Sequence, residues 1–272
     1  MTEVWAHQRL IREQKAAADP RPCSASLDAY SLEIISRQDA RPLIEEYEWL
    51  GNIGRSVHFV GLLSPGRVLH GVACFGYGPA GAIRRLIGEP ALCLERGACT
   101  HDAPPNAASF LINRACKMIY RTTGVARFFA YGDPAAGEYG AVYQAAGWLY
   151  LGQGLDGASG RRRRYFVLPP GMEDRPANWR TTRSLRRGPR LTWLTFAQAR
   201  ARGWVISDRP AKFVYAFHAG HERDRRRWRA DITKLLTNSH GAPLPFPAPR
   251  PHLKRKRKFA LATVVPAQEQ LF

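Results

Sequence analysis

Residues 91–134, ALCLERGACTHDAPPNAASFLINRACKMIYRTTGVARFFAYGDP, decide the fold. Ala91–Arg96 is apolar enough for a short buried strand. In His101-Asp102-Ala103-Pro104-Pro105-Asn106, two prolines forbid both a helix and a sheet ladder. Asn106 stands where a helix N-cap is expected. Ala108, Leu111, Ile112, Ala115 and Ile119 then recur at helical spacing as one apolar stripe, which Thr123-Gly124 ends. Arg127–Tyr131 reads as a second strand that stops at Gly132-Asp133-Pro134. Strand, loop, helix and strand in this order form the crossover unit of an α/β sheet.

The flanks extend the pattern. Leu43, Ile44, Tyr47 and Leu50 sit at helical spacing behind Asp39, read as an N-cap. Val57–Leu63 and Leu69–Phe75 read as strands joined by the turn Ser64-Pro65-Gly66-Arg67. On the other side come a short helix at Glu138–Ala146 and strands at Trp148–Leu151 and Arg164–Leu168. The expectation is an α/β fold, a mixed central sheet flanked by helices, occupying residues 31–170. Residues 1–30 are polar and are expected to form a partly ordered arm. Residues 171–240 hold a helix at Phe196–Gly203, an aromatic strand at Lys212–His218 and a helix at His221–Leu236, expected as a basic extension packed on the core. Residues 241–272, rich in Pro and carrying Lys254–Lys258, are expected to be disordered. No period of 20–50 residues repeats, which excludes a solenoid.

The charge is divided just as sharply. Residues 1–160 hold 15 Lys and Arg against 15 Asp and Glu, whereas residues 161–272 hold 26 against 7. The whole surplus of +19 therefore lies in residues 161–272, the last 112 of the chain. Arg outweighs Lys there and tryptophans interleave it, which suits a nucleic acid: Arg161, Arg162, Arg163, Arg164, Arg183, Arg186, Arg187 and Arg190 are candidate phosphate contacts. For Trp228, at helical spacing with Ile232 and Leu235, packing is the better reading. No apolar run is long enough to cross a bilayer, and Met1–Pro20 lacks the apolar segment of a secretory signal. The five cysteines are odd in number and form no Cys-x-x-Cys pair. A disulfide framework and a zinc site are disfavoured, no metal is expected, and a reducing cytoplasm is the expected compartment.

Two segments carry candidate chemistry. In Leu94–His101, Arg96 at a strand end can clamp an anionic or carbonyl oxygen, and Ser109 lies one turn into the following helix. Cys99 with His101 forms at most a weak nucleophilic pair. In Tyr131-Gly132-Asp133-Pro134, Asp133 ends an interior strand where open α/β sheets bind ligands, and a carboxylate there can orient or deprotonate an amine. Tyr143 can supply a phenol. Against each stands a plainer role: Arg96 in a surface ion pair, Asp133 as a helix cap, Ser109 and Tyr143 as packing.

The order of elements resembles the GCN5-related N-acetyltransferase fold, and several motifs resemble the bacteriophage Mom family of DNA adenine-modification proteins. These are Tyr47-Glu48-Trp49-Leu50-Gly51, Glu95-Arg96-Gly97-Ala98-Cys99 with His101, Ala107-Ala108-Ser109, Gly137-Glu138-Tyr139-Gly140-Ala141-Val142-Tyr143-Gln144-Ala145 and Lys212-Phe213-Val214-Tyr215-Ala216-Phe217. The resemblance implies a transferase that places a carbamoylmethyl (acetamido) or related acyl-type group on N6 of adenine in duplex DNA, shielding a phage genome from restriction in the cytoplasm of a bacterial host. It implies Arg96, Asp133, Tyr143 and Ser109 as catalytic residues, with Tyr47, Trp49, Cys99, His101, Asn106 and Tyr131 around the substrate. The donor it implies is acetyl-CoA or another activated acyl or glycyl group. Residues 101–106 depart from the Gln/Arg-x-x-Gly-x-Gly/Ala phosphate loop of that fold, because two of them are prolines without an N–H. The expected partners are double-stranded DNA and the group donor, with no membrane, and a homodimer is compatible. Two competing readings are an acyltransferase of the same fold acting on RNA, protein or a small molecule, and a nucleic-acid-binding protein without chemistry.

Overall fold

The computed structural model describes residues 8–21, 26–78, 81–134, 137–153, 163–174, 178–187 and 192–240. The elements run α1 (Gln8–Ala18), β1 (Ser31–Ile34), α2 (Arg37–Tyr47), β2 (His58–Leu63) and β3 (Leu69–Gly76). Next come α3 (Gly81–Ile87), β4 (Ala91–Cys99), α4 (Ala107–Thr123), β5 (Arg127–Gly132), α5 (Ala141–Ala145) and β6 (Leu149–Gln153). The remainder is β7 (Arg163–Leu168), β8 (Arg180–Thr181), β9 (Arg186–Arg187), β10 (Thr192–Trp193), α6 (Phe196–Ala201), β11 (Val205–Pro210), β12 (Phe213–His218) and α7 (Glu222–His240).

Seven strands form the main sheet in the order β1-β2-β3-β4-β5-β12-β6, with β4 and β5 parallel and every other pair antiparallel. The mixed α/β sheet expected from the sequence is therefore the one found. The chain returns to this sheet after residue 170, where the sequence pattern closes the core. β12 enters between β5 and β6, and all six of its residues are buried. Its alternating side chains serve both faces: Phe213, Tyr215 and Phe217 join the layer under α4, while Val214 and Ala216 join the layer under α3 and α7. Residues 171–240 are thus not solely an extension packed against a finished core. The two small sheets, β11-β7-β8 and β10-β9, bury Val167, Leu185, Ala199 and Trp204 in a cluster of their own.

Seven elements go beyond the sequence reading: α1, β1 and α3 in the front half, and the strands β8, β9, β10 and β11 behind it. α1 lies within the arm expected to be only partly ordered, β1 forms the sheet edge, and α3 lies between β3 and β4. The N-cap of α2 is Ser36 rather than Asp39. The Ser36 hydroxyl accepts from the Asp39 N–H at 3.1 Å while the Asp39 carboxylate takes the Ser36 N–H at 3.3 Å, a reciprocal capping box. Asn106 does precede α4, but at φ 65° its side chain makes no capping bond. Trp228 packs against the layer under α7 and its indole donates to the Ile87 carbonyl at 2.9 Å, as expected of a packing residue.

The position of the site follows from how β4 and β5 part. They pair only from Ala91↔Arg127 to Leu94↔Ala130. Beyond that point β4 continues along β3 to Cys99, and β5 continues along β12 to Gly132. The β3–β4 register slips at the same place, passing from Phe75↔Leu94 to Cys74↔Arg96, so Glu95 is an extra residue that re-aims the strand. A crevice at the carboxyl ends of parallel strands is the common ligand position in open α/β sheets.

Candidate active site

Arg96 projects from β4 just past the slip, on the face that carries α2. Its Nε donates to the Asn52 carbonyl at 2.9 Å, one terminal nitrogen to the Asn52 side-chain oxygen at 3.0 Å and the other to the Glu95 carbonyl at 2.6 Å. Three of its five N–H groups are engaged in this way. The side chain stays 19% exposed and lies 3.8 Å from Oε2 of Glu48, which is only 7% exposed. Glu48 is the residue on which α2 ends, and it accepts the Leu50 N–H at 2.8 Å. Burial pushes its carboxyl up to about 7, against the opposing pull of Arg96 and of the Leu50 N–H. A carboxylate of that kind exchanges a proton at neutral pH.

From Glu48 the cluster crosses the crevice. The Trp49 indole N–H donates to the carboxylate of Glu138, in the loop between β5 and α5. Glu138 in turn clasps Asp133: the Asp133 N–H donates to Glu138 Oε2 at 3.1 Å, and the Glu138 N–H donates to the Asp133 carbonyl at 2.9 Å. Burial raises the Glu138 carboxyl above its ordinary value, the Asp133 N–H bond and Lys212 oppose the rise, and the Asp133 charge adds to it. Lys212 Nζ lies 3.9 Å from Asp133 Oδ2 and 5.7 Å from the centre of the Tyr131 ring. Arg96 and Asp133 are thus joined through Glu48, Trp49 and Glu138, with Lys212 at the Asp133 end.

Tyr143, on α5, packs its ring 5.3 Å from Trp148 and 5.1 Å from Tyr215. Burial drives its phenol well above the ordinary value, and the nearby Glu138 and Glu48 charges add to the effect. It remains a proton donor through the physiological range. The remaining sequence candidates lie elsewhere. Tyr47 turns away from the cluster and bonds His101 Nδ1 at 2.8 Å, with Lys15 of α1 over its ring at 4.9 Å. Ser109 spends its hydroxyl proton on the Asn106 carbonyl at 3.0 Å. Cys99 is buried under α4 and burial pushes its thiol up to about 11, which removes the thiolate a nucleophile needs.

Arg161, Arg162 and Arg190 lie outside the described residues. Of Arg163, Arg164, Arg183, Arg186 and Arg187 only the backbone is described, in β7, a 3-10 turn and β9. Among the described residues no three His, Cys, Asp or Glu side chains gather as metal ligands.

Glu48 and Glu138 are the residues that sequence reasoning passed over, although both stand inside quoted motifs. A signal existed for Glu48: a carboxylate directly behind the last turn of an apolar-striped helix opposes the helix dipole, and such a placement invites a special environment.

The β4–α4 loop offers little to a diphosphate. Pro104 and Pro105 have no N–H, the Ala103 N–H is taken by the Thr100 carbonyl, and the Ala107 N–H is taken by that of Pro104. The Asp102 carboxylate adds negative charge, held by Arg21 at 3.7 Å and His70 at 3.4 Å. On this donor set a coenzyme A pyrophosphate does not fit the loop.

Solved structures similar to the chain include acetyltransferases. Spermidine/spermine N-acetyltransferase SpeG from Vibrio cholerae, solved with manganese ions, is 10% identical, with 74% of this chain and 99% of that chain covered and a TM-score of 0.39. Ribosomal-protein-S5-alanine acetyltransferase from Vibrio fischeri is 8% identical, with 70% and 93% covered and a TM-score of 0.36. The Vibrio cholerae spermidine N-acetyltransferase solved with CoA and spermine is 13% identical, with 46% and 84% covered and a TM-score of 0.33. These likenesses are too slight to bear on activity. No curated protein matches the chain. The seven-stranded sheet with its single parallel pair is the mixed α/β arrangement that the order of elements implied. The Mom protein family matches residues 29–166, half of the chain and the half that holds the crevice, and the chain belongs to that family.

Proposed function

We propose that this protein is a transferase that modifies N6 of adenine in duplex DNA, adding a carbamoylmethyl (acetamido) or related acyl-type group. The observation that carries this reading is that the family match, 29–166, contains Glu48, Arg96, Asp133, Glu138 and Tyr143 together. The N6 amine is a weak nucleophile because its lone pair is delocalised into the ring, so its proton must be taken as the new bond forms. It is also stacked in the duplex and must be flipped out, at a cost of a few kcal/mol that phosphate contacts from the basic C-terminal half offset.

In this reading the extruded adenine enters between β4 and β5. Asp133 orients N6, and Glu48, balanced near neutrality, receives the proton it loses. The carbon–nitrogen bond forms as the bond between donor carbon and leaving group breaks. Tyr143 returns a proton to the leaving group, and the unengaged Arg96 N–H groups steady an oxygen of the donor. The donor is an activated acyl-type group. Coenzyme A is bound by one of the acetyltransferases named above, but the β4–α4 loop here does not suit its diphosphate, so no step depends on it.

Mass spectrometry of nucleosides from DNA of cells expressing the protein tests the proposal. A modified deoxyadenosine is expected with the wild-type chain and is absent with Asp133→Asn or Glu48→Gln. Unmodified DNA under wild-type expression at normal protein levels sinks it.

A further inference from the structure

The charge split along the sequence places every surplus cation behind residue 160, yet the structure shows a second basic surface on the front half. From Asn106 to Arg121 the chain contains no Asp or Glu. The inner stripe of α4, Leu111, Ile112, Ala115, Cys116 and Ile119, is buried against the sheet. At i, i+3 and i+7 on the outer side stand Arg114, Lys117 and Arg121, with both arginines exposed and Lys117 half-buried. The Arg114 guanidinium lies 4.5 Å over the Phe110 ring one turn earlier. Lys117 is held below its ordinary value first by desolvation and then by three guanidiniums, Arg225, Arg114 and Arg121. Arg225 comes from the first turn of α7 and is itself paired with Glu222. Like charges at i, i+3 and i+4 destabilise a helix, so such a row costs stability that a bound polyanion would return.

We propose that the outer face of α4 is a phosphate-backbone contact for duplex DNA, made by Arg114, Lys117 and Arg121. This rests on the reading of DNA as the substrate. At 1.5 Å per residue the row spans about 10 Å, close to three nucleotide steps of one strand along the duplex axis. Its single sign, even spacing and two arginines suit phosphates rather than the mixed rim of a protein partner. α4 begins at the loop that follows β4, so a duplex lying along this face runs on towards the crevice. The contact carries no sequence information; it positions.

The test is the salt dependence of binding to a fluorescein-labelled 20-bp DNA duplex, followed by anisotropy between 50 and 200 mM salt for the full-length chain. The triple variant Arg114→Gln/Lys117→Gln/Arg121→Gln should lower the magnitude of the slope of log K against log salt by about 2.7, roughly 0.9 for each lost phosphate contact. Arg114→Lys/Arg121→Lys should keep the slope, and the triple variant, relieved of the like-charge row, should melt no lower than the wild type. A steep wild-type slope that the triple variant retains overturns the α4 contact and leaves the DNA reading standing. A wild-type chain that does not bind the duplex even at 50 mM salt overturns both. A slope loss seen only with an RNA duplex of the same sequence overturns the assignment to DNA.

Discussion

Arg96 stands 3.8 Å from Glu48 but gives its short bonds to Asn52 and to the Glu95 carbonyl. The consequence is electrostatic. A guanidinium that clasped Glu48 directly would hold the carboxyl ionised, whereas one occupied elsewhere compensates its burial only in part. The balance leaves Glu48 at about 7, half-charged under the conditions where an amine must lose a proton. Arg96 thereby fixes the loop that carries Glu48 without quenching it.

Two effects of Glu48→Gln follow, with opposite signs. Modification should fall at least a hundredfold, the usual scale for a lost general base, and the wild-type rate should rise through a midpoint near pH 7. Stability should move the other way. The folded carboxyl at about 7 lies above its unfolded value of 4.5, so the folded state binds the extra proton between these limits and wild-type stability declines as pH climbs from 4.5 to 7. At pH 8 the variant should be more stable by up to about 3 kcal/mol, while at pH 4 the two should coincide. Urea denaturation at the two pH values checks the pair; equal stability at pH 8 would remove the burial penalty from Glu48.

Asp133→Asn keeps the volume and the main-chain clasp to Glu138 while removing the charge near Lys212. Modification should disappear, and duplex affinity at fixed salt should change less than twofold, because the residue lies in the crevice rather than on a phosphate-contacting face. Nucleoside mass spectrometry and anisotropy on one preparation separate the two. An active variant would take Asp133 out of the reaction.

How far the sequence reveals this arrangement depends on where each element finds its partners. α4 is legible because its apolar stripe alone specifies the buried side, and β4 and β5 because each is a short apolar run with clear stops. α1 is not, because its anchors are tertiary and polar: Gln8 to the Gly97 carbonyl at 2.6 Å and Lys15 to Glu46 at 2.7 Å. β12 is readable as a strand but not as an interior one when its aromatic face alone is weighed. The unbroken apolar run Phe213–Phe217 is the mark of a strand buried on both sides. At the site, Arg96, Asp133, Trp49 and Tyr143 are found by motif and position. Glu48 and Glu138 acquire their character from burial that only the folded chain creates.

Gly140→Ala tests whether the β5–α5 turn must keep its shape. Gly140 sits at φ +72°, a conformation that a residue with a side chain adopts at a cost, and a Cβ there would fall on the Tyr215 ring. The Tyr215 hydroxyl donates to the Tyr139 carbonyl at 2.6 Å, so the ring has little room to retreat. Strain and overpacking together should cost about 2–4 kcal/mol, read as a lower denaturation midpoint with an unchanged slope. A variant as stable as the wild type would show that the turn and the ring give way together.

Tyr143→Phe separates packing from proton donation. The ring contacts with Trp148 and Tyr215 are retained, so stability should change by no more than about 1 kcal/mol. Because burial keeps the phenol protonated far into the alkaline range, its loss should depress the rate by the same factor from pH 7 to pH 9, on the order of 10–100-fold. The Glu48 limb near pH 7 should survive unshifted, apart from the small change caused by removing a neighbour that stays uncharged. A rate deficit that vanishes at high pH would identify a group that loses its proton in this range. A variant with the wild-type rate at every pH would leave Tyr143 as packing under the sheet, and the proton for the leaving group would have to come from Lys212 or solvent.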